Sequence, residues 1–329
     1  MHAPLSILDL VSIAEGSSAR QAIADSMEAA RQADRLGYHR LWFAEHHNTP
    51  GLASSATSLL VAQAASVTER IRVGSGGVML PNHAPLMVAE QYGTIATVHG
   101  DRIDLGLGRA PGTDMLTARA LSRSSAEPQE FAQNIYDLQG WFGAEGTAHS
   151  TPIHSAVSAG TRVPIWVLGS TVNGASIAGQ LGLPFSLASH FAPDQIDDAV
   201  RVYRESFSTD APTAQIEEPY LMAGINVMVA PTDEEAQREF TTVEQMFLDI
   251  QTGGRRRLQP PVDPEQLAAR GGREQPMLRV SAVGSPQTAV PQLEDFVRRT
   301  GADELIVVTY AFDPQVRCRS MELLAEHWF

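Results

Sequence analysis

Five short segments of this chain carry residue types that do chemistry. They are Glu45-His46-His47-Asn48, Gly74-Ser75-Gly76-Gly77, Gly106-Leu107-Gly108-Arg109-Ala110-Pro111-Gly112, Gly169-Ser170-Thr171 and Ser189-His190-Phe191. A histidine beside a carboxylate suits proton transfer near neutral pH, and a hydrogen-bonded structural histidine is the plainer alternative. Successive strand residues point to opposite faces, so His46 and His47 address different sides if the strand continues. A metal site would favour a His-x-His pair, which the sequence lacks. Gly106–Gly112 resembles a dinucleotide fingerprint only loosely, because Pro111 stands where a glycine is needed. Arg109 is then a charge at a strand end, for a ligand or for a surface salt bridge. Gly169-Ser170-Thr171, followed by Val172-Asn173-Gly174, reads as an anion site at a helix start or as a plain N-cap. Gly76-Gly77 allows a flat ligand to approach the backbone, or eases a tight turn.

These segments follow apolar runs. The runs are Leu5–Leu10, Leu41–Ala44, Ile71–Ser75, Ile103–Leu107, Ile165–Leu168, Phe185–Leu187, Leu221–Val229 and Leu305–Val308. Amphipathic stretches at helical spacing separate most of them, including Arg20–Leu36 before Gly37, Asp233–Ile250 after Thr232, and Pro286–Arg299 before Gly301. Continuous apolar runs are what a parallel sheet covered on both faces requires. Eight such units predict an α/β fold, a (β/α)8 TIM barrel filling residues 1–329 as a single domain, with a doubly wound sheet of similar length as the structural rival. The polar segments then fall at the carboxyl ends of five consecutive strands, where barrels of this kind build their sites. Two stretches break the repeat, about 110–158, with one plausible helix and a polar Gly/Thr-rich part, and 252–276, and both are expected to be inserted loops. The second, with Gly253-Gly254, Pro260-Pro261 and Gly271-Gly272, is the expected mobile lid.

Composition removes several function classes. The formal charge of −14 argues against a nucleic-acid partner. A single cysteine, Cys318, excludes intrachain disulfides and cysteine-rich metal centres. The chain shows neither a secretory leader pattern nor an apolar stretch of about 18 residues, so a cytoplasmic protein with no membrane contact is expected.

At these residues the sequence resembles the luciferase-like monooxygenase family, over nearly the whole chain. The resemblance rests on Leu5-Ser6-Ile7-Leu8-Asp9-Leu10, on Gly37 through Asn48, on Leu105 through Asp114 and on Gly301 through Val308. It implies reduced FMN at the carboxyl end of the barrel, reacting with O2 through a C4a-hydroperoxide to oxygenate a small organic substrate. It also implies a separate flavin reductase and a homodimer. Gly76-Gly77 match a non-prolyl cis peptide against the flavin ring. His46 matches the histidine near its reactive edge, and Arg109 an arginine beside the flavin. Leu168, Gly169, Ser170, Thr171 and Asn173 match the cofactor segment after the fifth strand, although this subgroup often has an aromatic residue at the position of Asn173. Gly108 stands where luciferase has a reactive cysteine, so no thiol role carries over. An F420-dependent hydride-transfer enzyme of the same superfamily, a non-catalytic flavin-binding protein and a metal-dependent barrel hydrolase are the competing readings.

Overall fold

A computed structural model describes residues 2–329, apart from 122–123, 125, 270 and 273–274. In chain order the elements are β1 (Leu5–Asp9), α1 (Ala19–Leu36), β2 (Arg40–Phe43), α2 (Thr57–Ser66), β3 (Arg72–Met79), α3 (Pro85–His99), β4 (Ile103–Gly108), α4 (Met115–Ala120) and α5 (Pro128–Phe142). They continue with β5 (Ile165–Gly169), α6 (Val172–Gln180), β6 (Phe185–Leu187), α7 (Ile196–Ser206), β7 (Leu221–Val229), α8 (Asp233–Gln251) and α9 (Pro264–Ala268). The last are β8 (Ser281–Gly284), α10 (Pro286–Thr300), β9 (Glu304–Val308) and α11 (Pro314–Trp328).

All strand pairings are parallel, from β6 through β5, β4, β3, β2, β1 and β9 to β7, and a β6–β7 pairing closes the ring. The result is the expected TIM barrel. Local chemistry sets the ends of its helices. Ser18 Oγ accepts from the Gln21 N–H and Thr232 Oγ1 from the Glu235 N–H, while Gly37 ends α1 at φ 87°. That left-handed angle is readily reached only without a Cβ.

Alternation along the strands separates two cores. Ile7, Leu41, Val73, Leu105 and Val307 point outward into the helices. Leu8, Trp42, Trp166, Met222 and Ile306 point inward. Below them, at the amino ends of the strands, buried charges fill the interior. Asp104 accepts from Arg40 Nη1 at 2.7 Å, Arg72 Nη2 at 2.6 Å and Trp42 Nε1 at 3.1 Å. Glu304 accepts from Arg40 Nε at 2.7 Å, from the Tyr220 hydroxyl at 3.0 Å and from the Ser6 hydroxyl. The Arg40 guanidinium also lies over the Trp166 ring, 4.7 Å from its centroid.

Three expectations need correction. A ninth strand, β8, pairs with the second half of β7. Its four residues hold only two apolar side chains, too little for a period to register. Residues 110–158 are not simply an inserted loop. They contain α4 and also α5, which buries Phe131, Ile135, Leu138 and Phe142 and packs on α3 as the helix of the fourth unit. Residues 252–276 are not structureless either. The Leu258 N–H donates to the Ile13 carbonyl, the Val262 N–H donates to Thr241 Oγ1, and α9 follows. Parts of both expectations, 122–123, 125, 270 and 273–274, lie outside the described residues.

Candidate functional site

The strand after which the histidines fall ends at Phe43, so Glu45-His46-His47 is a turn and strict alternation does not apply to it. Glu45 is fully buried and organises the turn. Its carboxylate accepts from the Met79 N–H at 3.0 Å, Asn82 Nδ2 at 3.1 Å, His83 Nε2 at 2.9 Å and His47 Nε2 at 2.9 Å. Burial opposes its ionisation, but the hydrogen bonds from His83, His47 and the backbone win and hold its carboxyl below the usual range. Glu45 therefore ties the ends of β2 and β3 together. His47 serves this network rather than a ligand.

His46 is held differently. Its N–H donates to the Ser54 carbonyl at 3.2 Å and its carbonyl accepts from Ser55 Oγ at 3.0 Å. Burial lowers its proton affinity, the Glu45 carboxylate pulls the other way, and a hydrogen bond to the Gly112 backbone favours the charged form. The net direction is down, which leaves a largely neutral imidazole at the barrel mouth.

The floor of the mouth is glycine. The Gly76–Gly77 peptide is cis. A Cβ on Gly76 would fall 2.7 Å from Leu8 Cδ1, and one on Gly77 would fall 2.6 Å from the Gly106 carbonyl oxygen and 3.1 Å from Leu168 Cδ1. Gly106 is tighter still, at 2.2 Å from the Ser75 carbonyl oxygen. No side chain fits at these positions, so β3 and β4 keep bare backbone there, packed against Leu8 and Leu168.

The next strand end supplies the polar group expected for an anion, and part of it is already used. Thr171 Oγ1 caps α6 by accepting from the Gly174 N–H at 3.3 Å, and the Val172 N–H donates to Gln195 Oε1 at 3.3 Å. Gly169 lets α6 approach β5, its Cβ position being 3.3 Å from the Gly174 Cα. Ser170 is half-buried, whereas Thr171 and Asn173 are exposed. Arg109 is half-buried and donates through Nη1 to the Ala126 carbonyl at 3.1 Å, which fastens the segment after β4.

Two residues of the mouth were given no role from the sequence: His83, outside every marked segment, and His190, inside the marked segment Ser189-His190-Phe191. His83 lies 38 positions from Glu45, in a loop with no motif of its own. His190 is 8% exposed, and its ring lies against β7 where a Cβ on Gly224 would fall 2.2 Å from Nδ1. A signal for it did exist. Gly224 and Asn226 interrupt an otherwise apolar, fully buried strand, and such interruptions mark a close approach.

A cavity of about 550 Å³ does not coincide with the glycine floor. It opens at the ends of β1 and β9, between the starts of α1 and α11, and is lined by Leu8, Leu10, Tyr310 and the Asp9–Arg317 pair. Leu8 belongs to both places and is the partition between them. Among the described residues no cluster of His, Cys, Asp and Glu has the geometry of a metal site. No helix among them is long and apolar enough to cross a membrane.

Residues 4–304 match the family model described as luciferase-like monooxygenase. A luciferase-like monooxygenase of Escherichia coli (strain K12) is 43% identical over 328 residues, covering 97% of this chain and 95% of the relative. The N-acetyl-S-alkylcysteine monooxygenase of Bacillus subtilis (strain 168) is 31% identical over 252 residues, covering 76% of this chain and 74% of the relative. The crystal structure of apo-MsnO8 matches with a TM-score of 0.89 at 32% identity, covering 99% of this chain and 98% of that one.

Proposed function

Because the chain belongs to the luciferase-like monooxygenase family, we propose that it is an FMN-dependent monooxygenase that oxygenates a small organic substrate with O2. The glycine floor carries this reading. Gly76, Gly77 and Gly106 have no room for a Cβ and so keep bare backbone at the barrel mouth, and a planar ring can lie close against bare backbone. The residues around it fit a flavin mononucleotide. Leu8 and Leu168 flank the floor, Arg109 supplies a cation at the end of β4, and Ser170 and Asn173 sit at the start of α6 for the phosphate.

When bound, reduced FMN would supply two electrons to O2, one oxygen atom entering the substrate and the other leaving as water. The protein's part is to bind, orient and exclude water. Glu45 fixes the turn that carries His46, and His46, kept largely neutral, accepts or returns a proton at the reacting edge. The organic substrate occupies the cavity beyond Leu8, whose aliphatic wall and Asp9–Arg317 pair suit a molecule with both apolar and polar parts. A separate reductase delivers the reduced flavin.

Anaerobic titration with reduced FMN and, separately, reduced F420, followed by admission of O2 while absorbance is recorded, tests the reading. Tight FMN binding with an oxygen-dependent transient is expected. Preference for F420 with no oxygen-dependent change would replace oxygenation by hydride transfer. His46→Ala is expected to keep FMN affinity and alter the oxygen-dependent phase; an unchanged phase would remove the proton-transfer role.

A further inference from the structure

His190 has a feature that the proposed reaction does not use. Its backbone is pinned from both sides. Ser189 Oγ donates to the Gly224 carbonyl at 2.6 Å, and Asn226 Nδ2 donates to the His190 carbonyl at 2.8 Å. The imidazole is thereby pressed against the inner face of β7, where Gly224 offers no side chain. In that position Nδ1 is sealed from solvent and has no hydrogen-bond partner. Nε2 is not among the sealed atoms without a partner, and the ring lies near enough to His46 for their charges to interact.

We propose that His190 is a fixed, neutral hydrogen-bond donor, presenting Nε2–H to an acceptor atom of the reduced flavin in the barrel mouth. A neutral imidazole carries one N–H and one bare nitrogen. A buried N–H without an acceptor is among the rarest features of folded proteins, whereas an unsatisfied acceptor is better tolerated. The proton therefore leaves Nδ1 and sits on Nε2. The doubly protonated ring would add a buried charge with no carboxylate acting on it. Burial first, and the nearby His46 second, push its pKa down to about 4. His190 is thus unsuited to be a proton shuttle at neutral pH. It suits a carbonyl oxygen or ring nitrogen, which asks for a donor that does not change state.

The proposal rests on the flavin reading, and the test separates the two. The full-length protein is labelled with 15N-histidine and its ring nitrogens are followed by NMR at pH 7, with His190→Gln used for assignment. A neutral Nε2–H tautomer is expected, and anaerobic addition of reduced FMN is expected to shift Nε2. His190→Phe is expected to raise the Kd for reduced FMN about five- to tenfold, while His190→Gln, which keeps an N–H, recovers most of the affinity. An Nδ1–H tautomer or an imidazolium at pH 7 would overturn the inference. So would saturating FMN that shifts His46 and leaves His190 untouched. If FMN shifts neither ring, the flavin reading falls, and the assignment of FMN as the acceptor falls with it.

Discussion

The two ends of this barrel treat buried polar groups in opposite ways. At the amino ends of the strands, Arg40, Arg72, Asp104 and Glu304 form a closed network whose carboxylate oxygens all accept hydrogen bonds. Trp42, Tyr220 and Ser6 complete it from the sides. At the carboxyl ends Glu45 is equally well served, but around it the pattern is open. His190 Nδ1 has no partner, β3 and β4 carry Gly76, Gly77 and Gly106, and the His46 ring has a single backbone hydrogen bond, to Gly112. A closed network is spent on the fold, because breaking a buried pair leaves a bare charge. An open one leaves donors for a ligand.

Breaking the closed end should give the largest loss. Asp104→Ala strands Arg40, Arg72 and Trp42 Nε1 and is expected to lower unfolding free energy by about 3–5 kcal/mol, read by urea titration. The fraction that folds should bind reduced FMN with unchanged affinity. A variant of full stability with weakened FMN binding would abolish the distinction between the ends.

Next in size is a pH effect confined to the open end. The pKa of His190 is depressed to about 4 from the ordinary 6.5. Between these values the unfolded chain binds more protons than the native one, so stability falls as pH drops through that window. The loss attributable to His190 is about 3 kcal/mol, on the order set by 1.4 kcal/mol per pKa unit. Urea titrations of wild type and His190→Gln at pH 7 and pH 4.5 measure it. The variant should show the shallower decline, and equal declines would contradict the burial argument.

Glu45→Gln should come third. The amide keeps the volume but turns a donor toward groups that are themselves donors, Met79 N–H, Asn82 Nδ2 and His83 Nε2 among them. A loss of about 1–3 kcal/mol is expected, with roughly tenfold weaker FMN binding because the turn carrying His46 loosens. The smallest effect sharpens the reading of the phosphate segment. Thr171→Ala removes the cap of α6 and should lower stability by about 1 kcal/mol, with Thr171→Ser restoring it. Stability and FMN affinity measured on the same samples distinguish a cap from a phosphate ligand.

Much of the scaffold was legible because parallel barrel strands are apolar on both faces. Runs such as Leu221–Val229 and Leu305–Val308 announce themselves. β8 did not, since Ser281-Ala282-Val283-Gly284 is too short and too polar. The mouth was legible where the chemistry is contiguous, as in Glu45-His46-His47 and Gly76-Gly77. It was illegible where partners converge from distant segments. His83 and Asn82 meet Glu45 from the loop after β3, and no local spacing encodes that meeting. The charged layer was missed for a related reason. Arg40, Asp104 and Glu304 each stand alone near the start of a strand, and only closure of the barrel makes them neighbours. The sequence also weighted the histidines of the turn over its glutamate, whereas the structure makes Glu45 the organising group.

The most direct test of the central claim, that the glycine floor is the cofactor surface, is a crystal structure of the protein with FMN bound. The account predicts the flavin ring lying on Gly76–Gly77 between Leu8 and Leu168, with its phosphate at the start of α6. A ring seated instead in the cavity beside Asp9 and Arg317, beyond Leu8, would contradict it.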